Sequence, residues 1–153
     1  MQQHLAKLGK VQTVEWIHWQ TGQASKNWPE AELAKIEVLV KQPVVIVAKS
    51  IGTLIAVKFI AADPKLVDAV VLCGIPVNDI GQKELNAYQS LNKLDPEKII
   101  CLQNDRDPHG TADQVSRLFT QLELGIKVIG KPADNHDYLY FGEIQAFLTS
   151  NQD

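Results

Sequence analysis

The strongest constraint on the fold is an uninterrupted run of five apolar residues at positions 44–48, four of which are β-branched. Such a run is typical of a strand covered on both faces. Residues 53–62 follow after a short turn and are apolar nearly all round, which predicts a buried helix that ends before Pro64. Residues 67–73 predict a second buried strand. This order favours two parallel strands joined by a helix.

The same alternation of strands and helices continues along the chain. Further strands are predicted at residues 11–17, 98–102 and 126–129, and further helices at residues 2–10, 29–41, 111–122 and 138–148. Residues 77–96 have a weaker pattern and are expected to form a surface excursion. We therefore predict a single α/β domain over residues 1–153, a three-layer α/β/α sandwich with a mostly parallel sheet and helices on both faces.

Charge and hydropathy argue against two classes of partner. The chain has 15 Lys and Arg residues against 18 Asp and Glu residues, a net charge of -3, so it has no basic excess to neutralise a nucleic-acid backbone or an anionic membrane. No apolar run approaches the ~18 residues needed to cross a bilayer, and the N-terminus has no apolar targeting segment. We therefore expect a cytoplasmic protein with no nucleic-acid or membrane partner.

Neither a disulfide framework nor a metal site is expected. Cys73 and Cys101 each end an apolar run, which is typical of reduced, buried thiols. The four histidines do not have the spacing of metal ligands. The sequence therefore predicts a protein that needs no metal and no other cofactor.

Candidate functional residues follow the predicted strands at their carboxyl ends, where parallel sheets gather functional groups. In chain order these residues are His18 and Trp19, Ser50, Cys73 and Gly74, Asn104 to Asp107, and Asn135 and His136. A serine, an aspartate and a histidine are therefore expected along one edge of the sheet.

Ser50 lies directly between the strand predicted at residues 44–48 and the buried helix, which is the strand-turn-helix context of a nucleophile elbow. Ala48 and Gly52, two residues before and after it, are small, as the strained backbone and the nearby strands of such a turn require. The helix that begins at Ile51 directs its unbonded N–H groups at the same place. The Ile51 amide is therefore the natural first oxyanion donor.

With these motifs the chain resembles the α/β-hydrolase family, in particular its small, lidless members, from the elbow to the last helix. The resemblance rests on the small-x-Ser-x-small pattern around Ser50, on the sequence Asn-Asp-Arg-Asp-Pro at 104–108, and on the loop that holds His136. It implies Ser50 as the nucleophile, Asp107 as the acid that orients the imidazole, and His136 as the general base and then acid. Asp105 is the alternative acid.

The resemblance leaves the second oxyanion donor open. In the family this donor comes from a loop after an earlier strand, and the resemblance implies that this chain begins after that strand. Alternatively, residues 17–22 form the loop, with Trp19 where the family has a glycine. Loss of one oxyanion donor typically lowers the rate by about 10² to 10³, so the second donor decides between an active and an impaired hydrolase.

Simpler interpretations compete at several of these positions. Ser50 is also a favoured helix N-cap. The pair Lys49-Ser50 resembles the end of a phosphate-binding loop, although strand residues stand where the glycines of that loop belong. A nucleotide- or flavin-binding protein is disfavoured for the same reason, since no glycine-rich phosphate turn is present. His18, Trp19, Lys49 and His109 are candidates to line the substrate pocket.

We therefore expect an esterase-like serine hydrolase that acts on a small acyl substrate through an acyl-enzyme on Ser50. The alternative is a catalytically impaired hydrolase-fold protein with a binding or regulatory role. A missing strand beside the elbow strand would leave an exposed sheet edge, and such edges recruit partner strands. A homodimer through this edge is therefore predicted.

Overall fold

The computed structural model describes residues 2–6, 9–17, 22 and 27–150. They form two compact units, one consisting of Gln42–Tyr138 and the other of the described residues of Met1–Lys41 and Leu139–Asp153. None of the helices in the described part of the chain has the length and hydrophobicity to span a bilayer. The single domain expected over the whole chain stays a prediction.

The described residues alternate between strands and helices, as predicted. The strands are β1 (Val44–Lys49), β2 (Val67–Cys73), β3 (Ile99–Asn104) and β4 (Val128–Lys131). The α-helices are α1 (Gln2–Leu5), α2 (Trp28–Leu39), α3 (Gly52–Ala62), α4 (Gln82–Ala87), α5 (Ala112–Gln121) and α6 (Phe141–Ser150). Short 3-10 helices cover Pro64–Leu66, Tyr88–Lys93 and Pro96–Lys98.

The four strands form one parallel sheet in the order β1-β2-β3-β4. Because all four run in the same direction, their carboxyl ends lie along the same edge of the sheet. Helix α3 connects β1 to β2, and α5 connects β3 to β4, since parallel strands require long crossover connections. The predicted α/β fold with a parallel sheet is confirmed.

The interior of the Gln42–Tyr138 unit is built from β2, β3 and α3. Every residue of β2 except Asp68 is buried, all of β3 is buried, and α3 buries eight residues. This agrees with their apolar sequences, because central parallel strands are covered on both faces. Each fully buried large aliphatic side chain stabilises the fold by roughly 1.5–3 kcal/mol, so these elements account for a large share of the hydrophobic stabilisation.

Strand β1 departs from the expectation of a strand covered on both faces. Val45 is 45% exposed, and among the described residues β1 pairs with β2 alone. The run of β-branched residues predicts a strand correctly but not its place in the sheet, because such residues also suit an edge strand. The homodimer through the β1 edge stays a prediction.

The segment at residues 77–96 is more than the predicted surface excursion. Tyr88 and Leu91 are fully buried. Ser90 Oγ donates a hydrogen bond of 2.6 Å to the carbonyl oxygen of Val57 in α3. The segment therefore packs on α3, a long-range contact that its weak local pattern does not reveal.

The strand predicted at residues 11–17 is wrong. The first six residues of this segment are irregular. Trp16 is buried, and its ring meets the ring of Trp28 edge-on with 6.5 Å between the centroids. The Ile17 amide donates a hydrogen bond of 2.7 Å to Glu32 Oε1 in α2. The apolar residues at the end of this segment therefore pack on α2 instead of forming a strand.

The boundaries of several further elements differ from the prediction, those of α1, β4 and α6 most. Helix α1 ends at Leu5, β4 covers Val128–Lys131, and α6 begins at Phe141. Strand β4 continues through Gly130, a residue type that weakens strand interiors and therefore ended the predicted strand too early.

Candidate active site

Ser50 lies at the junction of β1 and α3 with a strained backbone. Its φ of 56° falls in the left-handed region, which residues other than glycine rarely adopt. Its amide donates a hydrogen bond of 2.9 Å to the carbonyl oxygen of Cys73, at the end of β2. Ala48 and Gly52 are both buried. The backbone thus makes the sharp strand-to-helix turn that a nucleophile elbow requires.

Two buried side chains hold this turn in place. Thr53 Oγ1 donates a hydrogen bond of 2.7 Å to the carbonyl oxygen of Ser50. The same Oγ1 lies 2.5 Å from the hydroxyl oxygen of Tyr88, which is therefore the donor to it. Because Thr53 and Tyr88 are fully buried, water does not compete for these hydrogen bonds, and the chain stabilises the strained conformation of Ser50.

His136 and Asp107 form a hydrogen-bonded pair at the same edge of the sheet. His136 Nδ1 lies 2.6 Å from Asp107 Oδ2, and Asp107 is only 1% exposed. Asp107 comes from the turn after β3, and His136 comes from the loop after β4. A carboxylate beside Nδ1 favours a proton on that nitrogen, which leaves the lone pair of Nε2 available to accept a proton.

Three donors surround the Asp107 carboxyl group and lower its pKa. Burial alone would raise this pKa, but hydrogen bonds from the Tyr138 hydroxyl, the His109 amide and the His136 ring together hold it below its ordinary value. Tyr138 Oη lies 2.6 Å from Oδ2, and the His109 amide nitrogen lies 2.8 Å from Oδ1. Asp107 is therefore ionised at neutral pH, as an acid that orients an imidazole must be.

The end of β3 holds the loop that carries His136. The side-chain amide of Asn104 donates hydrogen bonds of 2.8 Å and 3.1 Å to the carbonyl oxygens of Asn135 and Asp137, on either side of His136. The Asn104 backbone amide also donates to the Tyr138 hydroxyl oxygen at 3.0 Å. Because Asn104 is fully buried, these contacts fix the position of the imidazole relative to the sheet.

Tyr138→Phe is expected to lower the free energy of unfolding by about 2–3 kcal/mol near neutral pH. The change removes a hydrogen bond to an ionised carboxylate and the hydroxyl oxygen that accepts a hydrogen bond from the Asn104 amide. The pKa of Asp107 in the folded state lies below its unfolded value, so the ionised group stabilises the fold above the unfolded pKa, and this contribution is lost as the pH falls through the folded pKa. The variant raises the folded pKa.

Acid unfolding of Tyr138→Phe should therefore begin at a higher pH than that of the wild type, and the difference in stability should shrink at low pH. Circular dichroism during urea unfolding at a series of pH values checks both. Superimposable acid-unfolding curves would contradict the assignment of Tyr138 as a donor to the ionised Asp107.

Ser50 and His136 both adjoin the last residues of β2 and the turn after it. Ser50 binds the carbonyl oxygen of Cys73, and a Cβ atom on the next residue, Gly74, would lie 3.0 Å from His136 Cε1. His136 Nε2 is buried and has no hydrogen-bond partner among the residues that the structure describes. Ser50 and His136 thus both approach the end of β2 without a hydrogen bond between the serine hydroxyl and Nε2, and such bonds are often long before substrate binds.

Asp105, the alternative acid, lies apart from this pair. Asp105 is exposed, and its Oδ1 is within 2.5 Å of where a Cβ atom on Gly130 would be. Asp107 is the carboxylate that the structure brings against His136.

The remaining candidates have different placements. Ile51 has helical dihedral angles at the start of α3, where the first amides of a helix have no partner within it. The His109 ring is half-exposed, with its centroid 4.5 Å from that of His136. Lys49 is exposed at the end of β1. His18, Trp19 and most of the alternative oxyanion loop lie outside the described residues.

Three residues that hold the pair and the turn in position are not identified by the sequence: Thr53, Tyr88 and Tyr138. The sequence places Gly74 and Asn104 at the strand ends but does not reveal the close approach at Gly74 or the clamp formed by Asn104. The sequence predicts that Tyr138 begins the closing helix, but it precedes α6 and is buried against Asp107. A usable signal exists for Gly74 alone, since a glycine directly after a buried strand often marks a close approach. The other contacts join segments that are distant in sequence, so no local sequence pattern predicts them.

The two cysteines have no nucleophilic character. Both are free and buried. Burial raises the pKa of Cys73 to about 12 and also raises the pKa of Cys101, so both thiols are protonated at neutral pH. Among the described residues, no group of three or more His, Cys, Asp and Glu side chains could hold a metal ion.

A comparison with known protein families identifies the type of domain that contains this site. A family model described as an alpha/beta hydrolase domain matches residues 21–144. The chain belongs to the alpha/beta hydrolase family. No curated protein matches the chain.

The match spans Ser50, Asp107 and His136, and the parallel sheet fits the alpha/beta hydrolase fold. Membership of this family indicates a hydrolase-type function. The substrate depends on the residues around the site, since one fold supports many chemistries.

Proposed function

We propose that this alpha/beta hydrolase is a serine hydrolase that cleaves small carboxylic esters or related acyl substrates through an acyl-enzyme on Ser50. The observation that carries the proposal is the hydrogen-bonded pair of His136 and buried Asp107, which lies beside the strand end that binds the Ser50 backbone. A serine hydroxyl is a weak nucleophile until an adjacent, correctly oriented base takes its proton.

In the first step, Ser50 Oγ attacks the acyl carbon of the ester while His136 Nε2 takes the hydroxyl proton. The ionised Asp107 stabilises the imidazolium that forms. The negative charge that develops on the carbonyl oxygen lies at the N-terminus of α3, where the Ile51 amide donates a hydrogen bond to it.

In the second step, the bond between the acyl carbon and the ester oxygen breaks, and His136 returns its proton to the departing alkoxide, which leaves as an alcohol. A water molecule then attacks the acyl-enzyme with His136 as the base, and the carboxylic acid is released as Ser50 regains its proton. The sum of the steps is one ester plus one water giving one acid plus one alcohol.

Labelling with a fluorophosphonate probe tests this proposal without knowledge of the substrate, because the probe reacts with activated serines. The wild type is expected to be labelled, and Ser50→Ala and His136→Gln are expected to lose the label while keeping their circular dichroism spectra. Ser116→Ala is the matched control, since Ser116 is an exposed serine whose hydroxyl is bonded to the Ala112 carbonyl oxygen, and it should be labelled like the wild type.

Two results would overturn the proposal. A folded wild type that takes no label would favour the alternative, a hydrolase-fold protein with a binding or regulatory role. Label that persists in Ser50→Ala would place the nucleophile elsewhere.

A further inference from the structure

A second histidine–aspartate pair lies beside the pair just described. His109 Nδ1 is 2.6 Å from Asp79 Oδ2, and the two side chains are 46% and 51% exposed. Exposed ion pairs usually contribute little to the free energy of unfolding, so a stabilising role does not explain this pair. Its position is more informative, because the His109 ring is tilted against the His136 ring with 4.5 Å between centroids.

The backbone on both sides of this pair is fixed by hydrogen bonds. The Asn78 amide donates to the His109 carbonyl oxygen at 3.0 Å, and the Asn78 side-chain amide donates to the Pro108 carbonyl oxygen at 3.2 Å. The His109 amide donates to Asp107 Oδ1 at 2.8 Å. The position of the His109 ring is therefore set by Asp107, the same carboxylate that orients His136, and by the loop that carries Asp79.

The Asp79 carboxylate also decides which nitrogen of His109 is free to bind. A carboxylate beside Nδ1 favours a proton on Nδ1, so the neutral ring presents an acceptor lone pair at Nε2. The half-exposed ring can offer this acceptor to a ligand. The complementary group is a hydrogen-bond donor such as a hydroxyl.

The position beside His136 indicates which part of a substrate would reach His109. In the proposed reaction the ester oxygen of the alcohol lies against His136 Nε2 when the proton is returned to it. A ring packed against His136 is therefore close to the alcohol part of the ester. A hydroxyl one or two carbons beyond the ester oxygen is within reach of such a neighbour.

We propose that His109 is a specificity-determining residue that accepts a hydrogen bond from a hydroxyl on the alcohol part of the substrate, which makes monoesters of small diols and polyols the preferred substrate class. Asp79 is the positioning residue that holds His109 in the required tautomer. This inference rests on the proposed serine hydrolase activity and goes beyond it by naming the substrate class.

Two esters of equal shape test the inference. 2-Hydroxyethyl butyrate and propyl butyrate differ only by a hydroxyl in place of a methyl group. The wild type is expected to favour the hydroxyethyl ester in kcat/KM by roughly five- to tenfold, the contribution of one hydrogen bond. His109→Phe keeps a ring beside His136 but has no acceptor, so the ratio should fall to about one. Asp79→Ala should reduce the ratio as well.

Asp113→Ala is the control, because it removes an exposed ion pair with Arg117 elsewhere and should leave the ratio unchanged. Fluorophosphonate labelling of each variant shows whether the reactive serine is intact. Equal kcat/KM for the two esters in the wild type, or a ratio that survives His109→Phe, overturns this inference and leaves the proposed activity standing. A folded wild type that neither hydrolyses an ester nor takes the probe overturns both.

Discussion

Asp107→Asn is expected to lower kcat for ester hydrolysis by about 10⁴ in a protein that still folds but is less stable than the wild type. In the wild type, Oδ1 accepts a hydrogen bond from the His109 amide, and Oδ2 accepts from the His136 ring and the Tyr138 hydroxyl. Asparagine has one oxygen and one amino group in place of these two oxygens.

The His109 amide can only donate, so the asparagine oxygen is expected to turn towards it and the amino group towards His136. The amino group then donates to Nδ1, which moves the ring proton to Nε2 and removes the lone pair that would accept the Ser50 proton. Steady-state kinetics on a chromogenic ester measure the loss. The negative charge that stabilises the imidazolium is lost at the same time.

Asp105→Asn is the matched control for this prediction, because Asp105 is the nearby exposed carboxylate that sequence analysis left as the alternative acid. Its activity should stay close to that of the wild type. A large loss in Asp105→Asn together with an active Asp107→Asn would show that the acid had been assigned to the wrong residue.

Gly74→Ala is expected to lower both stability and activity. A Cβ atom on Gly74 would lie 2.5 Å from Tyr138 Cε2 and 3.0 Å from His136 Cε1, and the φ of 66° is unfavourable for alanine. The left-handed backbone and the overpacking together are expected to reduce the free energy of unfolding by about 3 kcal/mol. Tyr138 cannot move away without losing its hydrogen bonds to Asp107 and Asn104.

Displacement of the His136 ring is expected to lower the rate of fluorophosphonate labelling by at least about 10², because misplacing a catalytic group by about 1 Å has an effect of that size. Gly125→Ala is the control, since the atom nearest to a Cβ atom added at Gly125 is 4.0 Å away. Urea unfolding and the labelling rate measure the two effects. If Gly74→Ala had the free energy of unfolding and the labelling rate of the wild type, the close approach of Gly74 to Tyr138 and His136 would not be required for stability or activity.

The parallel sheet and the edge that carries the site could be predicted from local sequence. The apolar run at residues 67–73 coincides with β2, and the predicted strand and helix around Ser50 agree with the structure to within one residue. These predictions succeed because buried strands and helices impose a continuous hydrophobic pattern on the chain. The residues that follow β1, β3 and β4 share one edge of the sheet because these strands run in the same direction.

Other features depend on contacts between distant segments, and local patterns could not predict them. Trp16 and Ile17 resemble a strand in sequence but pack on and bond to α2. Tyr88 belongs to a weakly patterned segment, yet it is fully buried and bonded to Thr53. The sequence around Tyr138 predicts a helix, but in the structure the Tyr138 hydroxyl donates a hydrogen bond to the Asp107 carboxylate. Each role is set by a tertiary partner that overrides local preference.

The proposed function depends on acylation of Ser50 with help from His136 and Asp107. This step is tested by mixing the protein with p-nitrophenyl acetate, recording the initial release of nitrophenolate, quenching in acid, and mapping the acetylated peptide by mass spectrometry. We predict a burst of about one nitrophenolate per protein molecule, with the acetyl group on Ser50 and neither burst nor acetyl group in Ser50→Ala. An acetyl group on another residue of the folded wild type, or a Ser50→Ala variant that hydrolyses the ester as fast as the wild type, would contradict acylation of Ser50.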